Sequence, residues 1–224
     1  MNIKIKFFAL IICALIVCMS FVACNKTENN VGEDGVASDA VAQTQPQNEE
    51  TEINYENTNV DNYVKNVQYK ELDVSFDSNK VTKEDAVWDA IYSTAIIEDY
   101  PDDKVNYYFN QMKDAYMHCA HGNEADYLLL LKARGTSEAD MLEKSRQMVK
   151  EDLVYRYIVK HEQITVTDEE KASLFNKYVQ KYSAELNKSP DYVEKHMAEY
   201  IYESMLYDKT TEYLFSVNTF VTNQ

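Results

Sequence analysis

His118, Cys119 and His121 are the one constellation in this 224-residue chain with the residue types of a metal site. Two imidazoles three positions apart, with a thiol between them, could hold zinc on a helix. The thiol, however, falls on the apolar stripe of that helix, and an imidazole near a helix C-terminus is favoured by the macrodipole alone. No metal is assigned. Asp102-Asp103 and Asp168-Glu169-Glu170 cluster carboxylates as an acid–base site would. Both clusters fall in first helical turns, where negative charge is stabilising whatever the function. A Ser/His/Asp order, a glycine-rich phosphate loop and a nucleophile elbow are not found in the sequence. The chain is therefore expected to bind rather than to catalyse, with no cofactor.

The elements that would position a binding surface read as helices. Residues 67–76 alternate well enough for one strand or extended arm, with Leu72, Val74 and Phe76 on one side. Thr82 is placed to cap a helix reaching about residue 97, with Asp85 completing a capping box. Asp99-Tyr100-Pro101 breaks it, and Pro101 suits the start of the next helix. There Val105, Tyr108, Phe109, Met112, Tyr116 and Cys119 recur at three- and four-residue spacing, which makes one buried stripe. Gly122 marks its end. A short helix over 124–133 has Leu128 to Leu131 as its apolar block and Gly135 as its close. Thr136 or Ser137 starts a long helix to about residue 161, with Leu142, Val149, Leu153 and Tyr157 as its main stripe. A helix over 168–186 buries Phe175, Tyr178, Val179 and Tyr182. Ser189-Pro190 opens a last and longest helix carrying Val193, Met197, Ile201, Met205, Leu206 and Leu214. The fold class is all-α: an array of about six amphipathic helices over residues 81–218, after an extended arm over 64–80.

Upstream of the arm the composition changes twice. Residues 24–63 hold almost no large apolar side chains, so burial cannot offset the entropy of ordering them, and a disordered polar tether is expected. Its mean reach is about 35 Å. Residues 1–23 read as a secretory signal: Lys4 and Lys6 precede an apolar run over 7–22 that is short for crossing a bilayer. Phe21-Val22-Ala23-Cys24 resembles the bacterial lipobox, with phenylalanine where leucine is usual. That resemblance implies acylation of Cys24 and a chain anchored to the membrane on its extracytoplasmic face. Loss of Lys4 and Lys6 with the signal takes the formal charge from −16 to −18, which argues against nucleic acid as a partner. Cys119 is the one cysteine after Cys24, so stability is expected to rest on a hydrophobic core.

One junction carries more information than any other. In Glu162-Gln163-Ile164-Thr165-Val166-Thr167-Asp168-Glu169-Glu170 a long helix ends, a short extended stretch turns the chain, and Thr167 caps the next helix. Glu170 lies three residues after Thr167, so each side chain can satisfy an orphan backbone donor of the other. With the order of helix lengths over 82–217, this junction resembles the C-terminal, client-cradling domain of trigger factor, an architecture shared with the SurA-like foldases. The resemblance implies an ATP-independent holdase whose partners are unfolded or newly exported polypeptides. An isomerase domain of FKBP or parvulin type needs about a hundred residues and turn glycines. After residue 63 only Gly122 and Gly135 occur, both at helix ends, so no such domain is expected.

The tyrosines suit this reading, because they offer contact area at low entropy cost and tolerate water at the tip. Of the 18 in the chain, Tyr107, Tyr116, Tyr155, Tyr200, Tyr202 and Tyr207 are the candidates for client contact. Met112, Met148, Met197 and Met205 would supply adaptable packing. The other reading open to such helices is a non-catalytic adaptor lipoprotein recognising one folded envelope partner, or a homodimer through a self-complementary patch.

Overall fold

The structure, a computed structural model, describes residues 53–223. The signal segment, Cys24 and the tether up to residue 52 lie outside the described residues. Among the described residues, seven α-helices and four short strands follow a 3-10 turn at Val60–Asn62. Strand β1 is Val64–Asn66 and β2 is Asp73–Asp77. Helix α1 spans Lys83–Thr94, strand β3 Ile96–Ile97, helix α2 Asp102–Cys119, α3 Glu124–Ala133 and α4 Glu138–His161. Helices α5 (Asp168–Leu186), α6 (Pro190–His196) and α7 (Ala198–Val217) lead to strand β4, Thr219–Asn223. The all-α expectation holds, and no helix among the described residues is long and apolar enough to cross a membrane.

The helix starts are set by the residues that announce them. Thr82 accepts from the Asp85 amide at 3.0 Å and turns its own hydroxyl onto the Asp85 carboxylate at 2.8 Å. Asn123 caps α3, Ser137 caps α4, and Ser189 caps α6 with Pro190 in its first turn. Thr167 and Glu170 form the full capping box: Glu170 N–H donates to Thr167 Oγ1 at 3.2 Å, and Thr167 N–H to Glu170 Oε2 at 2.8 Å. Lys209 of α7 donates to both oxygens of that carboxylate at 2.7 Å, so the cap also fixes α5 against α7. Thr167→Ala should cost about 1 kcal/mol, read as a fall of about 2–4 °C in Tm for a domain of this size. No shift would show that α5 is held by packing alone. Gly122 and Gly135 end α2 and α3 at φ +75° and +62°, a region closed to most side chains.

Four apolar clusters divide the described residues, and long helices thread from one to the next. Met112, Ala120, Tyr127, Leu131 and Met141 fill the lobe made by the end of α2, by α3 and by the start of α4. Tyr178, Val179, Tyr182, Val193, Ile201 and Met205 fill a second lobe of α5, α6 and the start of α7. Between them lies a body with two cores. One gathers Trp88, Ile91, Tyr92, Val154, Tyr155, Ile158, Tyr207 and Leu214. The other gathers Tyr55, Val60, Val64, Val105, Tyr108, Val149 and Leu153. At 1.5 Å per residue the 24-residue α4 is about 36 Å long, enough to carry Met141 into the first lobe and Ile158 into the body.

Three features depart from the sequence reading. The stretch after Pro190 is not one helix, because Met197 leaves helical geometry at φ −130°, ψ 13° and separates α6 from α7. The break lets Val193 and Ile201, both fully buried, pack on the same cluster. The longest helix is α4 instead. A strand not foreseen in the sequence follows the last helix: β4 adds to β2 in parallel, with Val74 opposite Phe220. Asn218 prepares that pairing, accepting from Leu72 N–H at 2.8 Å and donating to the Tyr69 and Leu214 carbonyls at 3.0 and 2.8 Å. Finally, residues 53–63, assigned by composition to the tether, have defined structure, with Tyr55 and Val60 buried.

Candidate functional site

The arrangement of polar groups is structural in character. Asp152 on α4 lies buried and accepts hydroxyls from Tyr55, at 3.0 Å, and from Tyr108 of α2. Burial pushes its carboxyl up to about 6, against the pull of those two hydroxyls and of Arg156. The same environment drives both tyrosines far above the ordinary phenol range, chiefly through burial and the facing carboxylate. Just past the C-terminal end of α4, Glu162 accepts from Tyr69 at 2.6 Å, from Tyr213, and from Lys70 at 2.8 Å. Burial acts to raise its carboxyl, but hydrogen bonds from Lys70, Tyr213 and Tyr69 outweigh that and hold it down to about 2. Glu162 thereby ties the segment before β2 to α4 and α7 at the junction singled out in the sequence. Both carboxylates are occupied by holding elements together. Among the described residues no group of three or more His, Cys, Asp or Glu side chains is placed to hold a metal ion. His118 and His121 are exposed.

Apolar side chains left in water are the other chemistry available. A buried face of α3 presents Tyr127, Leu130 and Leu131 to the first lobe. At 100° per residue, the run Leu128 to Leu131 cannot lie on one face. Leu128 and Leu129 accordingly point outward, 55% and 63% exposed, on a face shared with Ala125 and Lys132. The two side chains form a small apolar patch on the surface of the first lobe. The second lobe exposes Tyr192 and Tyr202. Tyr202 leans on Phe175 with ring centres 5.5 Å apart, and the Lys171 ammonium sits 5.3 Å from its ring centre.

The six tyrosines proposed as client contacts are not brought together. Tyr202 is exposed; Tyr107, Tyr116 and Tyr200 are half-buried at the edges of three different clusters. Tyr155 and Tyr207 must be corrected, since both are buried in the body. Their rings lie 6.3 and 5.3 Å from that of Trp88, and Tyr207 stacks on the indole. A tyrosine on a helix fits a seam as well as a surface, and its own spacing does not say which. In the sequence the block Leu128 to Leu131 reads as one core segment, and only its length against the helical repeat signals that Leu128 and Leu129 face outward.

Two lobes with separate cores, joined by α2, α4 and α7 to one body, are thus the geometry of the described chain. No curated protein and no solved structure matches it. A family model for the C-terminus of bacterial trigger factor matches residues 75–216. That span runs from β2 through both lobes to the end of α7 and covers well over half of the sequence. The chain belongs to the trigger factor C-terminal family and carries its chaperone-like, non-catalytic peptide-binding domain.

Proposed function

We propose that this protein is an ATP-independent holdase, anchored through acylated Cys24 on the extracytoplasmic face, which shields unfolded or newly exported polypeptides and has no isomerase domain of its own. The exposure of Leu128 and Leu129 carries this reading. A surface that captures apolar segments needs such side chains in water, and these two are adjacent on one face of α3. The second lobe adds Tyr202 and Phe175, whose flat faces accept varied partners. Binding the unfolded state withdraws it from aggregation by mass action, so no energy source is required. The lipobox-like Phe21-Val22-Ala23-Cys24 and the apolar run before it support the address.

The test follows light scattering when a chemically unfolded client is diluted into buffer with an equimolar amount of the chain from Asn25 onward. Scattering should fall with this protein present, and folded client should bind no detectable amount. Changing Leu128 and Leu129 together to serine should weaken suppression several-fold while leaving helical circular dichroism and Tm unchanged, because neither side chain is in the core. Absence of suppression at several-fold excess would reject the holdase and favour the single-partner adaptor.

A further inference from the structure

Residues 53–64 cover the body as a ligand would. Helices α2 and α4 form an apolar groove lined by Val105 and Tyr108 on one side and Val149 and Leu153 on the other. Into it the strap places Ile53, Tyr55, Val60, Tyr63 and Val64, residues about a hundred positions from their partners on α4. Between residues 55 and 62 its backbone hydrogen bonds are turns of its own, among them Thr58 to Tyr55 and Asn62 to Asn59, whereas its end is held by backbone: Glu98 N–H donates to the Tyr63 carbonyl at 3.0 Å and Val64 pairs with Ile97 of β3. What attaches it to α4 is side chains. Tyr55 donates to buried Asp152, with its ring centre 4.8 Å from the Arg156 guanidinium. Asp61 pairs with Lys160 at 2.6 Å and His161 at 2.8 Å, and Lys160 donates to Asn59 at 3.0 Å. Spaced apolar anchors, a tyrosine hydroxyl on a buried carboxylate and a charged rim are how a site holds an extended peptide.

We propose that the α2/α4 groove is a peptide-binding site which the chain fills with its own residues 53–64, and that client segments bearing a tyrosine followed by spaced β-branched residues exchange with this strap. This rests on the holdase reading and adds regulation to it. With the strap docked, only the lobe surfaces are offered; with it displaced, the groove joins them. Few side chains are buried against the entropy of ordering about a dozen residues, so the docked and released states are close enough for a competitor to shift. A strap continuous with the tether also meets its groove at a high effective concentration, which keeps weak peptides out.

The probe is a fluorescein-labelled peptide of residues 53–66, titrated by anisotropy into the chain from Asn25 onward. Wild-type protein should bind it weakly. A Tyr55→Ala/Val60→Ala chain, whose strap is weakened and whose groove is intact, should bind it at least tenfold more tightly. A peptide with phenylalanine in place of its tyrosine should lose several-fold, because Asp152 then lacks that donor. Hydrogen exchange on the wild type should show residues 55–63 opening faster than α2 and α4. A variant that keeps native helicity without tighter peptide binding would overturn the proposal. So would a variant that unfolds, or wild-type strap amides that exchange only with global unfolding, since the strap would then be fixed core. Client suppression is read separately by scattering, so peptide exchange without suppression rejects the holdase and leaves the groove standing.

Discussion

Replacing Trp88 by alanine is expected to remove about 3–5 kcal/mol of stability, a large fraction of the roughly 5–15 kcal/mol that holds a folded domain. Trp88 is the single tryptophan of the chain and lies 3% exposed on α1. Its indole is stacked between Tyr92, at 5.5 Å and 24°, and Tyr207, at 5.3 Å and 19°, with Tyr155 edge-on at 6.3 Å. Its Nε1–H donates to Thr211 at 3.0 Å. Alanine would leave a cavity bounded by three rings and by a threonine hydroxyl without its donor, a site ill suited to collapse. The consequence is more than local. Tyr155 is on α4 and Tyr207 on α7, two of the helices that extend from the body into the lobes. Urea unfolding followed by circular dichroism at 222 nm measures the effect, because the variant has no tryptophan fluorescence. Trp88→Phe, which keeps one ring of the stack, should lose less than half as much. A loss below about 1 kcal/mol for alanine would mean that the stack is not what joins the lobes.

Local chemistry was legible in the residues; long-range partnership was not. Thr167 with Glu170, Ser189 with Pro190, and Gly122 and Gly135 announce helix ends because a cap is a contract between neighbours a few residues apart. The buried stripe Val105, Tyr108, Met112 follows from the helical repeat in the same way. By contrast, Tyr55 owes its order to Asp152 and Tyr69 its hydrogen bond to Glu162, each across more than ninety residues. Composition around Tyr55 is that of a tether, and only the groove beneath it makes burial worthwhile. The break at Met197 is equally silent, since Glu194-Lys195-His196-Met197-Ala198 are all tolerable helix residues. Tertiary demand, two fully buried residues on one cluster, overrides them. At the candidate surface, faces could be counted from Leu128 to Leu131, whereas the division of tyrosines into seam and surface needed the packed structure.

Asp152 should make the protein more stable in mild acid than at neutral pH, opposite to most of its other shifted carboxylates. A carboxyl raised by burial from 3.8 to about 6 favours the protonated form in the folded state. Its contribution is therefore fully present below the unfolded value near 4 and is lost as pH rises through 6. By linkage the loss is about 3 kcal/mol between pH 4 and pH 8. Groups facing it come from every element in contact: Tyr55 on the strap, Tyr108 on α2, and Glu151 and Arg156 on α4 itself. Glu162 runs the other way, since its lowered carboxyl stabilises above about 4.5 and loses that only as pH falls toward 2. Asp61, Asp77, Asp103, Glu138 and Glu170 are lowered by neighbouring lysines, backbone amides or both, so they too act below the window in question. Between pH 4.5 and 7.5 the slope belongs mainly to Asp152, aided by half-buried Glu84, which burial also raises. Asp152→Asn isolates the term, because its amide oxygen can still accept both tyrosine hydroxyls but cannot ionise. Urea midpoints of the wild type should fall across this window, and those of the variant should be much flatter. Self-repulsion of a chain at −16 acts on both proteins alike, so the difference between the slopes reads the buried carboxyl. Parallel slopes would show that Asp152 is ionised throughout and that Arg156 compensates its burial in full.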